Sequence, residues 1–299
     1  MTQAFKAPAW LIDSSIYVFK AWYTNNPQEL TDINGNPINA ILGFMDFTYK
    51  LLSNEKPQLI AFAFDESLKT SHRKEIYPEY KANRVSAPES LRLQFKICRK
   101  FISILGIHQS ASLHYEADDL IGTWAKSLRL ADIPVNIISA DKDLAQLVHK
   151  NDFWWEYDRG QKLDSKAITK KFRAKPRQIA DQIALAGDKS DNILGISGVG
   201  MATAAKLLKK FDNIDNLLSS IDEVSSMQIR NAKLIQDEIL ANQANIRQSR
   251  LLTGIECDIE KIDNSVFNIG SFDQKAFSHL CAQLTLSAEQ EARWVKLLL

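Results

Sequence analysis

The sequence predicts an α/β fold in which a parallel sheet is covered by helices. Three short apolar runs indicate buried strands: AWLI at residues 9–12, LIAFAF at 59–64 and VNIIS at 135–139. Segments with helical periodicity separate them, such as NAILGFMDFTYKLLSN and ESLRLQFKICRKFISILG. Strands that alternate with helices are typical of a parallel sheet with helices on both faces. A further aromatic run, DFWWEYD, predicts a fourth strand.

The composition excludes several classes of protein. The chain has 299 residues, of which 45% are hydrophobic, enough for one large domain or for a large and a small one. Its three cysteines lie far apart without a histidine at ligand spacing, which argues against a disulfide framework or a zinc site and fits a reducing compartment. No apolar run approaches membrane-spanning length, and the first is too short for a signal peptide. We therefore expect a cytoplasmic protein with no membrane partner.

The net charge of +1 conceals two basic segments. Residues 66–100 contain nine Lys or Arg against four acids, and residues 161–177 contain seven against one. Basic segments are often only solvated surface, but they also supply the sequence-independent part of nucleic-acid binding. The acids that balance them are gathered elsewhere in the chain.

An acid follows each of the three predicted strands. Asp13 follows AWLI, Asp65 follows LIAFAF and Asp141 follows VNIISA. In open parallel sheets, ligands bind beyond the carboxyl ends of the strands, so we expect these acids to face one crevice. Any one of them could instead cap the helix that follows, but three in succession make capping alone a weaker explanation.

The second half of the chain changes to helices and loops near residue 175. Residues 176–210 predict a helix, an acid-bearing loop, a glycine hairpin and a second helix. Gly198 and Gly200 permit a tight turn whose backbone N–H groups can approach a phosphate, assisted by the dipole of the next helix. Three lysines follow that would contact a nucleic-acid backbone without reading its bases, namely Lys206, Lys209 and Lys210. The alternative is an ordinary turn between two helices.

Nine acids lie on or beside predicted strand ends and loops, and without them the rest of the chain would carry a net charge of +10. They are Asp13, Asp65, Glu116, Asp118, Asp119, Asp141, Asp143, Asp188 and Asp191. Clustered carboxylates raise one another's pKa unless cations lie between them. An all-oxygen ligand set suits Mg²⁺ or Mn²⁺, and two such ions can activate a water and stabilise the leaving oxygen of a phosphodiester. The pattern predicts a metal-dependent phosphodiesterase acting on nucleic acid.

Six segments, in order, resemble the 5′-nuclease family. They are LIDSSIYVFKAWY, FAFDES, HRKEIYPEYKANR, YEADDLIG, SADKDLAQL and AGDKSDNILGISGVGMATAAKLL, and the likeness covers roughly residues 8–255. That family includes the 5′-to-3′ exonuclease domain of bacterial DNA polymerase I, the phage 5′-exonucleases and the flap endonucleases. The resemblance implies Mg²⁺-dependent cleavage of branched and 5′-ended DNA.

The resemblance also implies a domain organisation. A PIN-like α/β nuclease core would occupy residues 1–175, with a helical arch at about 66–100. A helical DNA-binding subdomain would occupy residues 176–299. Within it, a helix-three-turn-helix element of the helix-hairpin-helix kind would lie at about 193–211.

The family pattern further implies two metal sites. The tighter site would be formed by Asp13, Asp65, Glu116 and Asp118, and the second by Asp141, Asp143, Asp188 and Asp191. Asp119 would serve both ions. Backbone carbonyls near Ile196 and Val199 would hold a monovalent cation such as K⁺ in the hairpin.

Four residues at the base of the arch are implied to handle the substrate. Arg73 and Lys81 would steer and polarise the scissile phosphate, with Arg84 beside them. Tyr80 would stack on a terminal base, although core packing is an equal alternative. His72 departs from the family, which usually has an aromatic there, and we expect it to make a packing or phosphate contact.

We therefore expect a free-standing bacterial 5′-3′ exonuclease and flap endonuclease that is a monomer and uses two Mg²⁺ ions, for which Mn²⁺ can substitute. Its expected substrates are 5′ flaps, nicked or gapped duplex DNA and RNA primer ends in replication and repair. Two alternatives remain open. The first is a non-catalytic DNA-structure binder, against which the complete acid set argues. The second is a ribonuclease on a similar core, against which the glycine hairpin and the arch motif argue.

Overall fold

A six-stranded sheet forms the centre of the chain in the computed structural model, which describes residues 6–24, 30–66 and 70–299. The strands are β1 (Ala9–Asp13), β2 (Leu59–Asp65), β3 (His108–Ser112), β4 (Val135–Ile138), β5 (Phe153–Glu156) and β6 (Gln161–Leu163). Their spatial order is β3-β2-β1-β4-β5-β6, and all neighbours are parallel except β5 and β6. The predicted parallel sheet is confirmed, and β1, β2, β4 and β5 coincide with the four apolar runs.

The sequence does not predict β3 or β6. β3 has the polar sequence HQSAS, lies at the edge of the sheet and pairs only with β2. β6 is three residues long and returns antiparallel to β5 through Gly160, whose φ is +65°. Edge strands are partly solvated, so neither has the run of buried apolar side chains that marks the central strands.

Helices cover both faces of the sheet. They are α1 (Ser14–Thr24), α2 (Asn39–Glu55), α3 (His72–Ile76), α4 (Glu89–Ile104), α5 (Ala117–Leu130), α6 (Ser165–Phe172), α7 (Ile179–Ala186), α8 (Met201–Phe211), α9 (Ile214–Ser219), α10 (Ala232–Ala241), α11 (Gln243–Thr253), α12 (Gln274–Gln283) and α13 (Ala288–Leu298). Because side chains alternate along a strand, Trp10 and Ile12 pack towards α1, α2 and α4, whereas Leu11 packs towards α5 and α7. Among the described helices, none is both long and apolar enough to cross a membrane.

Helices α7 to α11 build a core of their own. Ala204, Leu207 and Leu208 on one face of α8 pack with Ile235 of α10 and Ile246 of α11. The opposite face of α8 is exposed and carries Lys206 and Lys209. The hairpin and its lysines therefore lie on the outside of a compact helical unit.

The last part of the chain does not belong to that unit. Phe277 of α12 and Trp294 of α13 are buried in the core of the α/β layer, where the ring centroid of Trp294 lies 5.2 Å from that of Phe101 on α4. Asn268 also forms a β-bridge with Leu59 at the start of β2. The structure thus differs from the expected single helical subdomain over 176–299, because the apolar faces of α12 and α13 complete the N-terminal core.

The segment expected to form an arch, about 66–100, divides into two parts. Residues 70–84, which include α3, lie beside the acidic residues described below. α4 is instead an amphipathic core helix, whose buried face includes Leu91, Cys98 and Phe101. Its apolar stripe requires burial, so α4 cannot stand free above the sheet.

We predict that Trp294→Ala lowers the free energy of unfolding by about 3–5 kcal/mol, because it opens a cavity in the core that α13 completes. Urea denaturation followed by circular dichroism measures the change. Leu299→Ala is the matched control, since Leu299 is 82% exposed, and it should change stability by less than about 0.5 kcal/mol. Equal effects of the two variants would contradict this account of the C-terminal helices.

Candidate active site

Three strand ends bring acids together at the carboxyl edge of the sheet. Asp13 ends β1 and Asp65 ends β2, and Asp141 lies three residues beyond β4. Ser139 links two of them, because its buried hydroxyl donates to Asp13 Oδ2 at 2.7 Å and accepts from the backbone N–H of Asp141 at 2.8 Å. Asp13, Asp65 and Asp141 therefore lie at the edge of the sheet that the strand pattern predicts.

The N-terminus of α5 adds a second source of acids at the same edge. The N–H of Ala117 donates to Asp65 Oδ1 at 3.0 Å, which fixes the start of α5 against β2. Glu116 is the N-cap residue, and Asp118 lies in the first turn. The positive end of the helix dipole favours carboxylates here.

Burial and mutual repulsion raise the proton affinity of part of this group. Burial and the adjacent Asp65 carboxylate raise the pKa of Asp13 to about 7. Burial, together with the charges of Asp141 and Asp13, raises the pKa of Asp118 well above its usual value. The charge of Asp141 thus raises the pKa of Asp13 on β1 as well as that of Asp118 on α5.

Asp141 also connects these acids to the second predicted set. Burial and the charge of Asp141 raise the pKa of Asp143 to about 7, and Asp191 and Asp188 act in the same direction. Asp143 Oδ1 is buried and has no hydrogen-bond partner. Lys142 Nζ lies 3.7 Å from this atom and 2.7 Å from Asp188 Oδ2.

The turn after α3 places two cations on the acids. Lys81 adopts a left-handed φ of +53°, and its Nζ lies 2.8 Å from Glu116 Oε2 and 3.6 Å from Asp191 Oδ2. Arg84 Nη2 lies 2.6 Å from Asp191 Oδ1. Although burial opposes it, the charge of Lys81 holds the pKa of Glu116 below its usual value. Lys81 and Arg84 therefore lie beside the acids, and their contact with a phosphate, which the family resemblance implies, stays a prediction.

Tyr80 does not reach a position from which it could stack on a base. Its side chain packs with Ile193 and Leu252 and is 2% exposed, and its hydroxyl lies 3.2 Å from both Glu116 Oε2 and Asp191 Oδ2. Burial and the Glu116 charge raise the pKa of Tyr80 above its usual value, so it remains a neutral hydrogen-bond donor. Of the two interpretations of Tyr80, the structure favours core packing.

The positions of Arg73 and Asp119 differ most from those that the family resemblance implies. Arg73 Nη1 and Nη2 bind Asp119 Oδ2 and Oδ1, each at 2.7 Å, and both side chains are buried. Asp119 is therefore not positioned to serve two ions, and Arg73 is not positioned to contact a phosphate. The sequence could not reveal this, because the two residues are 46 positions apart and meet only when the fold brings the Arg73 side chain to the first turn of α5.

The acids fit divalent cations by their chemistry. In the described part of the chain, no three Asp, Glu, His or Cys side chains stand close enough together to hold a metal ion. The donor set is nevertheless all oxygen, and the buried Asp143 Oδ1 has no hydrogen-bond partner. Carboxylates whose pKa is raised by burial and by repulsion are those that a bound cation would stabilise most.

Two residues at this edge were not identified by sequence reasoning. Ser139 orients Asp13 and Asp141, and Lys142 neutralises Asp188. A small polar residue directly after a buried strand is the signal for Ser139, and the alternation of charge in DKD is the signal for Lys142. His72 lies outside the acid group and packs against Tyr115, with ring centroids 5.1 Å apart.

The glycine hairpin lies between α7 and α8. Gly198 has a φ of +76°, and Gly200 is the N-cap of α8, where open space surrounds the position of a Cβ. The side chains of Ile196 and Val199 are buried, and the N–H of Val199 donates to the Ile196 carbonyl at 3.0 Å. Lys210 is engaged by Glu223 at 2.9 Å, whereas Lys206 and Lys209 are exposed.

Two family models match this chain in succession. The model of the 5′-3′ exonuclease N-terminal resolvase-like domain matches residues 8–173. That of the 5′-3′ exonuclease C-terminal SAM fold matches residues 174–275. The two matches meet between the α/β layer and the helical unit.

The curated relatives include 5′-3′ exonucleases and DNA polymerase I. The 5′-3′ exonuclease of Aquifex aeolicus (strain VF5) is 36% identical over 211 residues, which are 71% of this chain and 72% of the relative. That of Buchnera aphidicola subsp. Schizaphis graminum is 35% identical over 229 residues, 76% of this chain and 79% of the relative. DNA polymerase I of Pseudomonas aeruginosa is 36% identical over 85% of this chain, but the matched part is only 28% of that polymerase.

Solved structures share the fold. T5 5′-exonuclease with bound zinc has a TM-score of 0.64 at 15% identity, covering 97% of this chain and 98% of that chain. The catalytic core of Rad2 in complex with DNA substrate has a TM-score of 0.65 at 16% identity, covering 98% of this chain and 93% of that chain. At such identity the likeness concerns the fold alone.

We predict that Asp13→Asn stabilises the metal-free protein more as the pH rises. The pKa of Asp13 is about 3.8 when unperturbed and about 7 in the folded protein. The unfolded chain therefore loses this proton first, and its ionisation lowers the free energy of unfolding between those two pH values. Asparagine removes that penalty, on the order of 1–3 kcal/mol at high pH.

Urea denaturation in EDTA at about pH 5 and about pH 8 measures the effect. Asp237→Asn, at an exposed position on α10, is the control and should show no such difference. A gain for Asp13→Asn that is no larger at the higher pH would contradict the assignment.

Proposed function

This chain belongs to the 5′-3′ exonuclease family and is a nuclease, and we propose that it hydrolyses DNA phosphodiesters at the carboxyl edge of its sheet with the help of two divalent cations. The observation that carries the proposal is the group of mutually repelling carboxylates around Asp13, Asp118, Asp141 and Asp143. The raised proton affinity of Asp13, Asp118 and Asp143, together with the lack of a hydrogen-bond partner for Asp143 Oδ1, supports a site that a cation completes.

Eight of the nine acids would hold the cations. They are Asp13, Asp65, Glu116, Asp118, Asp141, Asp143, Asp188 and Asp191. Mg²⁺ suits this all-oxygen set, and Mn²⁺ can replace it. Bound there, the two ions would supply Lewis acidity for an attacking water and for the leaving oxygen.

The chain's own cations would orient the phosphodiester. Lys81 and Arg84 already lie at the acid edge, held by Glu116 and Asp191. When divalent cations neutralise those acids, both side chains become available to donate hydrogen bonds to the oxygens of an incoming phosphate. Tyr80 keeps Glu116 and Asp191 together through its hydroxyl, so that both acids stay beside Lys81.

The hairpin would bind the duplex away from the point of cleavage. The N-terminus of α8 and the exposed Lys206 and Lys209 offer backbone N–H groups and positive charge to consecutive phosphates. We propose that the backbone carbonyls of Ile196 and Val199 in the hairpin bind K⁺. We also propose that the protein is a cytoplasmic monomer whose substrates are 5′ flaps, nicked or gapped duplexes and primer ends.

We predict that purified protein with Mg²⁺ cleaves a 5′-flap duplex and that Asp118→Asn slows this cleavage at least about 100-fold. DNA binding should persist, because the substitution removes a negative charge from the path of the phosphate. Single-turnover cleavage of labelled flaps, with binding measured by fluorescence anisotropy in Ca²⁺, gives both quantities. Asp237→Asn is the control and should cleave at the wild-type rate.

Two outcomes would replace the proposal with another function. Binding of flaps without cleavage in any divalent cation would indicate a non-catalytic DNA-structure binder. Strong preference for single-stranded RNA would indicate a ribonuclease.

We predict that Lys206→Ala weakens binding equally for DNA of different sequences, because the lysine contacts phosphate only. The slope of log Kd against log salt concentration should fall by about 0.9. Anisotropy titrations at several salt concentrations measure it, with the exposed Lys275→Ala on α12 as control. An unchanged slope would exclude Lys206 from the DNA interface.

A further inference from the structure

Arg73 and Asp119 form a buried, two-pronged ion pair behind the acid edge. The side chains are 3% and 0% exposed, and both guanidinium nitrogens of the fork bind a carboxylate oxygen at 2.7 Å. The two groups are therefore matched to each other.

The remaining hydrogen bonds of Arg73 reach the end of α11. Arg73 Nε donates to the carbonyl of Leu252 at 3.0 Å, and Nη2 donates to that of Gly254 at 2.8 Å. The last carbonyls of a helix have no partner within it, so these contacts complete the C-terminus of α11. Arg73 is thereby fixed to the helical unit as firmly as to α5.

The remaining hydrogen bonds of Asp119 reach the backbone on either side of α5. Oδ2 accepts from the N–H of Glu116 at 3.0 Å, and Oδ1 accepts from the N–H of Glu256 at 2.9 Å. Each carboxylate oxygen thus has two donors, counting Arg73. Such an oxygen has no free lone pair to offer a cation.

These contacts place the Arg73–Asp119 pair between the helical unit and the acid edge. α11 packs in the core of the helical unit through Ile246, together with α8. Glu116, whose backbone Asp119 holds, receives Lys81 at the acid edge. A shift of the end of α11 would therefore change the position of Glu116 and Lys81.

We propose that Arg73 and Asp119 are positioning residues that lock the end of α11 to the start of α5, and so align the helical unit with the acid edge. The proposal rests on the nuclease function proposed above, but it assigns neither residue a contact with metal or substrate. Asp119 as a metal ligand would have to abandon Arg73. The buried guanidinium would then keep only Glu116 as a counter-charge, at 3.6 Å and already paired with Lys81, which is unfavourable.

Metal binding without DNA gives the first test. We titrate Mn²⁺ into wild-type protein, Asp119→Asn and Asp118→Asn by calorimetry. Asp119→Asn should retain the wild-type stoichiometry and lose less affinity than Asp118→Asn, because Asp119 only supports the ligand Glu116. The loss in Asp118→Asn should be about tenfold or more. A loss in Asp119→Asn as large as that in Asp118→Asn overturns the proposal. No loss in either variant contradicts the metal site at Asp118 instead, and leaves the ion pair to be judged by turnover.

Turnover gives the second test, in variants that keep a positive charge at residue 73. Arg73→Lys should lower kcat for a 5′ flap by about tenfold or more while KM and the Kd for DNA change less than about threefold, because the substrate is bound but misaligned. Arg73→Lys/Asp119→Asn should be no slower than the slower single variant. Multiplying losses, or a rise in KM without a fall in kcat, would show that the residues act separately or contact substrate.

A second ion pair on α5 supplies the matched control. Arg129, near the C-terminus of α5, binds the buried Asp152 and the carbonyl of Leu147 but lies outside the acid edge. Arg129→Lys should lower the melting temperature yet keep the wild-type kcat. If Arg129→Lys and Arg73→Lys slow turnover equally, the loss reflects general destabilisation and the positioning role is wrong.

Discussion

Repulsion among carboxylates at one edge of the sheet is the constraint on which the rest of this structure depends. Parallel strands end at the same edge, so Asp13 and Asp65 meet there, and the start of α5 adds Asp118. Burial and these like charges raise the pKa of Asp13 and of Asp118. The surrounding structure offsets this with hydrogen bonds from Ser139, the dipole of α5 and lysines drawn onto the neighbouring acids.

The basic side chains at this edge pair with different acids. Lys81 and Arg84 neutralise Glu116 and Asp191 at distances short enough for direct ion pairs, yet Arg84 remains partly exposed. Such pairs can exchange a carboxylate for a phosphate when another cation takes over the acid. The Arg73 pair differs from them, because both of its members are buried and each carboxylate oxygen of Asp119 already has two donors. Arg84 is 42% exposed, whereas Lys81 is nearly as buried as Arg73, at 9% against 3%.

The path of the chain explains why the helical unit keeps a fixed position relative to the α/β layer. After α11 the backbone passes Asp119 and Gly122 on α5, where a Cβ at position 122 would come within 3.0 Å of Ile255, Cys257 and Glu256. It then forms α12 and α13 on the N-terminal core. The helical unit is therefore connected to the sheet at both of its ends, so the hairpin surface and the acid edge have a fixed relation.

The sequence by itself determined the parallel sheet, the acids at its edge and the glycine hairpin, because these follow from local periodicity and from what ends each strand. The family resemblance assigned Lys81 and Arg84 to the base of an arch, and the structure brings both of them beside the acids. The sequence could not show that Tyr80 is core, that α4 packs on the sheet or that α13 completes its core, since each depends on which apolar faces meet. Nor could it separate Asp119 from Asp118, adjacent residues on one helix. Only the tertiary structure decides that one faces a buried arginine and the other the acids of β1 and β2, because successive helical side chains point about 100° apart.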